Sequence, residues 1–177
     1  MMAHAGMSVA LAHARTPASI NKANMRQYKK ILCPVDFSPF ADAALDEAMS
    51  LAKGMGSTLC LLHAYQNPAY VLPMSGYVGP TADMIGRIRK QLEEELAGLA
   101  KKVEEQGITV ETRCVEGIPY KVITDLAQEW DADLIVMGTH GRTGLSHALT
   151  GSVAERVVRT AECPVLITRH TLEEEQK

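Results

Sequence analysis

The chain has 177 residues, 46% of them hydrophobic and 22% charged, with a net charge of −3. This is the composition of an ordinary single-core globular domain, and its slight acidity gives no ground for a nucleic-acid or anionic-membrane partner. No apolar run approaches the length of a membrane span. The four cysteines, Cys33, Cys60, Cys114 and Cys163, form no C-x-x-C pair and fall in or beside apolar runs. They read as small buried hydrophobes in a reducing compartment, so a cytoplasmic protein is expected.

Residues 1–28 are rich in Ala, Met, His and small polar residues and show no sustained period. Met7 to Ala12 is weakly apolar, but no Lys or Arg precedes Arg15, so the basic segment of a secretory leader is missing. The expectation is a loosely attached arm, with partner binding as its alternative role. The folded domain is then 29–170, followed by an acidic tail at 171–177.

A first buried strand is expected at 31–35, with Asp36 at its carboxyl end. Ser38 is a good N-cap and Pro39 a good first helical residue. Ala41, Ala44, Leu45, Ala48 and Leu51 recur at helical spacing until Gly54 and Gly56 stop the helix. A second continuous apolar strand covers 59–64, interrupted by His63, which reads as hydrogen-bonded structure rather than as a ligand contact. Residues 65–82 carry three prolines and three tyrosines, the marks of a lid, binding loop or partner surface. The longest helix is expected at 83–106, its apolar stripe formed by Ile85, Ile88, Leu92, Leu96, Leu99 and Val103. The third strand, 108–115, alternates Ile108, Val110, Thr112 and Cys114 with Thr109, Glu111 and Arg113, which suggests a sheet edge. A helix over 120–130 turns Ile123, Leu126, Ala127 and Trp130 inward.

Residues 134–153 hold the most informative stretch. A short apolar run, 134–137, reads as a fourth buried strand. Gly138, Gly141, Gly144 and Gly151 follow, then Ser152 with Glu155 three residues on, the signature of a capping box that starts a helix near Ser152. Glycines allow close backbone approach, a helix N-terminus offers unpaired N–H groups, and Arg142 adds charge, so the loop suits phosphate. Neither G-x-x-x-x-G-K-[ST] nor G-x-G-x-x-G occurs. The helix must end before Pro164, and Val165 to Thr168 is the fifth strand.

Five alternations of strand and helix predict an α/β fold with an open, five-stranded parallel sheet and helices on both faces. In the order 3-2-1-4-5, Asp36 and the glycine loop share the crevice at the carboxyl ends of the strands. A carboxylate suits a base N–H or a ribose hydroxyl, and the loop suits phosphates, so a nucleotide is expected.

Pro34-Val35-Asp36-Phe37-Ser38, Gly138-x-x-Gly141 with Gly151-Ser152 nine residues later, Val153-Ala154-Glu155-Arg156-Val157 and Cys163-Pro164-Val165-Leu166 together resemble the universal stress protein family over residues 29–169. The G-x-x-G-x9-G-[ST] pattern resembles that of the family's ATP-binding members. The resemblance implies that Asp36 and the backbone around Pro34, Val35 and Ala64 hold adenine and ribose. It implies that Gly138, Gly141, Gly151, Ser152 and Val153 hold phosphates, and that Met137 lines the base. It further implies a regulatory stress-response protein that carries ATP, with ADP or AMP as alternatives and Mg2+ as a companion ion.

The fifth strand, Val165–Thr168, is an edge with little charge to protect it, so a homodimer about a two-fold axis is expected there. A slow ATP hydrolase or phosphotransferase is the alternative activity, with Arg142, His140 and His147 as loop candidates. None has the spacing of a catalytic set, so no catalytic residue is assigned and a binding protein is favoured. Asp36 alone is a weak metal site. A nucleotide-independent adaptor acting through the arm and the 65–82 loop, with an unknown protein partner, is the third reading.

Overall fold

A computed structural model describes residues 27–66, 81–139 and 152–168. Five strands alternate with four helices: β1 (Lys30–Pro34), α1 (Pro39–Met55), β2 (Thr58–Tyr65), α2 (Ala82–Glu105), β3 (Val110–Glu116), α3 (Pro119–Glu129), β4 (Leu134–Gly138), α4 (Ser152–Thr160) and β5 (Val165–Thr168). Every pairing is parallel and the sheet order is β3-β2-β1-β4-β5, as the alternation of elements predicts.

The sheet has a core on each side. Ile31, Cys33, Leu59, Leu61, Leu134 and Val136 pack with Ala41, Leu45 and Ala48 of α1 and with Leu96, Ala100 and Val103 of α2. The alternate residues Leu32, Cys60, Leu62, Ile135 and Met137 pack with Ile123 and Leu126 of α3 and with Ala154 and Val157 of α4. Burial on both faces is why the three inner strands are continuous apolar runs. Cys33 and Cys60 are fully buried within them, while Cys114 and Cys163 are half-buried.

Local signals decide where helices start and stop. Ser38 caps α1 by accepting from the Ala41 amide, and Pro39 is its first residue. Gly54 lies inside the helix. Gly56, at φ 68°, takes the left-handed turn that ends it. Thr81 caps α2, whose first residue, Ala82, is one ahead of the expected start.

Three expectations need correction. The alternating pattern of β3 does not put one face inward: Thr112 and Arg113 are exposed, Val110 and Cys114 touch the first core, and Val115 touches the second. Ile108 is buried but precedes the strand. The stripe of α2 is core only in its C-terminal half, where Leu96, Ala100 and Val103 are buried, whereas Ile88 is 40% and Met84 49% exposed. Ser152 is the first residue inside α4 rather than its cap, and Glu155 pairs with Arg159 one turn on at 3.1 Å. Gly151, which precedes it, lies outside the described residues.

The length of α2 explains the second correction. Its 24 residues span about 36 Å at 1.5 Å per residue, while the 7 residues of β3 cover about 23 Å at 3.3 Å each. Arg89 and Glu93 lie within electrostatic reach of Tyr65, the last residue of β2. The turns before them, from Ala82 to Ile88, therefore rise past the carboxyl edge of the sheet.

Candidate functional site

The chain leaves β1 toward one side of the sheet and β4 toward the other, so the strand order reverses between these two neighbours. A cleft of about 720 Å³ opens at this reversal, at the carboxyl ends of β1, β2 and β4. Pro34, Val35, Asp36, Ala64, Met137, Gly138, Ser152 and Val153 all line it. The topology thus brings together eight expected site residues from four separate segments. Gly141, Arg142 and Gly151 lie outside the described residues, as do His140 and His147.

Asp36 follows the end of β1 and is half-buried. Its Oδ1 accepts from the Ser38 amide at 3.1 Å and from the Ser38 hydroxyl at 2.5 Å. The same hydroxyl accepts from the Ala41 amide at 3.3 Å. One serine therefore caps α1 and anchors the carboxylate at the cleft.

Ala64 contributes its backbone. Leu62 accepts from the Val35 amide at 2.8 Å, so its polar groups point toward β1, whereas Tyr65 accepts from Gly117 on the opposite side. Alternation along a strand then turns the N–H and C=O of Ala64 toward β1. The β1–β2 register ends at Pro34 and Leu62, so Ala64 presents these groups at the level where β1 has begun to turn away.

Met137 is 6% exposed and belongs chiefly to the second core. Gly138 sits against α1, and a Cβ there would lie 2.7 Å from the Phe40 carbonyl oxygen. Helix–strand contact thus requires this glycine whatever its role toward a ligand. Ser152 and Val153 bring the first turn of α4 to the cleft. Its amides have no intrahelical acceptors, and its dipole is positive at that end.

His63 is structural, as expected, but it also lines the cleft. It is 3% exposed, its Nδ1 lies 2.7 Å from the Val35 carbonyl oxygen, and its ring stacks on Phe37 at 4.6 Å. Tyr65, expected to open the 65–82 loop, instead ends β2 and lines the cleft, and the sequence reading missed the α2 wall formed by Ile88, Gln91, Leu92 and Glu95. Gln91 donates to Glu95 at 3.0 Å. Burial, reinforced by Glu116, pushes the Tyr65 phenol above its usual range. The available clue was the helix length, which exceeds what the neighbouring strands can cover.

Among the described residues, no group of three or more His, Cys, Asp or Glu side chains is placed to hold a metal ion. Among the same residues, no helix is long and apolar enough to cross a membrane.

The sequence profile of the universal stress protein family matches residues 27–169. The chain belongs to this family. Universal stress protein MJ0531 of Methanocaldococcus jannaschii is 38% identical over 147 residues, covering 80% of this chain and 82% of the relative. Universal stress protein MJ0577 of the same organism is 30% identical over 154 residues, covering 80% and 95%. The solved structure of MJ0577 superposes with a TM-score of 0.71 over 82% of this universal stress protein and 99% of its own chain. A universal stress protein from Archaeoglobus fulgidus, solved in complex with dAMP, is 26% identical with a TM-score of 0.57, covering 80% and 98%.

Proposed function

We propose that this universal stress protein binds an adenine nucleotide, with ATP the favoured ligand, and acts as a regulatory protein in a stress response. The observation that carries the reading is the convergence at one cleft of Asp36, the Ala64 backbone and the first turn of α4. The complete glycine spacing, Gly138-x-x-Gly141 followed by Gly151-Ser152, supports it, as does the dAMP bound by the Archaeoglobus fulgidus relative. Asp36 and the backbone at Pro34, Val35 and Ala64 would hold base and ribose, beside Met137. Gly138, Gly141, Arg142, Gly151, Ser152 and Val153 would hold phosphates, which suit backbone amides and a helix N-terminus. Mg2+ would arrive with the triphosphate and take most of its oxygens from phosphate and water.

Denaturing the purified protein and identifying any released nucleotide by chromatography and mass tests this directly. ATP near one per chain is the expected result; ADP or AMP would make a turnover assay the next step. A Gly141→Val, Gly151→Val double variant should lose nucleotide while keeping its circular dichroism. Wild-type affinity in that variant would show the loop assignment to be wrong. No released nucleotide, with no thermal stabilisation by Mg-ATP, would favour the adaptor reading.

A homodimer through β5 belongs to the same proposal. The strand is one edge of the sheet, and Leu166 on it is 36% exposed.

A further inference from the structure

We infer that His63 is the positioning residue of the base and ribose subsite, holding the β1–α1 turn in the conformation that presents Asp36 to a nucleotide. The inference rests on the nucleotide-binding reading above. Between the end of β1 at Pro34 and the cap of α1 at Ser38 the chain has three residues in which to leave the sheet and start a helix. It does so with Phe37 at φ 60°, a left-handed conformation that a bulky side chain rarely adopts. Such a conformation persists only when its surroundings hold it, and residues of this kind cluster at ligand sites.

One imidazole holds both neighbours of Asp36. On one side its Nδ1 meets the Val35 carbonyl oxygen at 2.7 Å. A carbonyl oxygen can only accept, so Nδ1 carries the proton and the tautomer is set. On the other side the ring stacks on Phe37, centroids 4.6 Å apart and planes 29° from parallel. The ring is buried, 3% exposed, on β2 opposite Cys114 of β3 and one residue past the end of the β1 register. Ser38 then fixes the carboxylate itself. The turn is thus held by His63 and the side chain by Ser38, and a simple apolar filler at position 63 would replace neither the donor nor the planar stack.

The test compares ATP with inorganic tripolyphosphate, which engages a phosphate site but offers no base or ribose. Binding of both is measured by calorimetry, with displacement for the weaker ligand. The proteins are wild type, His63→Leu, His63→Asn, Asp36→Asn and the His63→Leu, Asp36→Asn double variant. His63→Leu should weaken ATP about tenfold or more, the loss of one buried hydrogen bond and its dependent geometry, with tripolyphosphate unchanged. His63→Asn, whose amide nitrogen falls near the Nδ1 position, should recover part of that loss. Asp36→Asn should cost less in the His63→Leu background than alone, because both act on one subsite. Nitrogen NMR of the wild type, which needs no variant to fold, should show the Nδ1-protonated tautomer.

Equal losses of ATP and tripolyphosphate, unchanged ATP affinity in His63→Leu, or the other tautomer would overturn the inference and leave the nucleotide reading standing. Failure of the wild type to bind ATP would overturn both.

Discussion

A methyl group added at Gly138 would meet backbone, 2.7 Å from the Phe40 oxygen and 3.1 Å from its carbonyl carbon. No side-chain rotation relieves such a clash, so β4 and α1 must separate or bend. Gly138→Ala should therefore lower the unfolding free energy by about 1–3 kcal/mol, the usual cost of overpacking, measured by denaturant titration. An unchanged midpoint would mean that the helix yields without cost. Cysteine chemistry shows the same sensitivity to position. Burial, with Cys60 nearby, pushes the Cys33 thiol up to about 12, and burial raises Cys60 to about 11. Both thiols are therefore expected to resist a thiol reagent in the native state and to react once the protein is unfolded. The linkage sign follows from the raised values. In the unfolded chain these thiols ionise near 9 while the native ones stay protonated, so the native state holds more protons above that pH. Stability is fully present below about 9 and is lost as pH rises toward 11 and 12. Denaturant titrations at mildly and strongly alkaline pH should show this fall, and Cys33→Ala should make it shallower.

Among the elements, β5 and α1 were the most legible. Pro164 and the run after it mark β5, and Ser38-Pro39 marks the start of α1, because each signal acts within a few residues of the boundary it sets. The first turns of α2 were not legible. A stripe at helical spacing says which residues share a face, not how far the partner surface extends beneath them. The structure also sharpens the test of the proposed dimer. The Pro164 and Thr168 carbonyls accept from Ile135 and Thr139 of β4, so the backbone groups of Leu166, at the same phase, point inward to β4. A proline at 166 would break the sheet's own ladder rather than its outer edge. The informative change is Leu166→Asp, which leaves the backbone intact and sets two like charges near each other across a two-fold contact. Light scattering should then give the monomer mass with unchanged circular dichroism. A persistent dimer mass would place the interface elsewhere.

For the whole molecule, sequence reading reached the topology because inner and edge strands differ in chemistry. The runs at β1, β2 and β4 are continuous, while β3 carries Glu111 and Arg113 and β5 is four residues long. The place of the cleft follows from the reversal of strand order, and that order could be argued before any coordinate was known. The grip of His63 on the turn could not be seen that way. Val35 and Phe37 lie 28 and 26 positions away, and only the register of two strands brings the imidazole between them. The α2 wall was hidden for a similar reason, since it depends on two elements of unequal length being laid side by side. This inequality has a mechanical side. From Leu96 onward α2 is clamped to the sheet, and the turns before it extend from that clamp as a beam. The links Asp83 to Arg87, Arg89 to Glu93, Lys90 to Glu94 and Gln91 to Glu95 run along the beam. They stiffen it against bending. A small tilt at the clamp would be magnified toward the N-terminal turns, and Ile88, Gln91 and Leu92 would carry that swing into the mouth of the cleft.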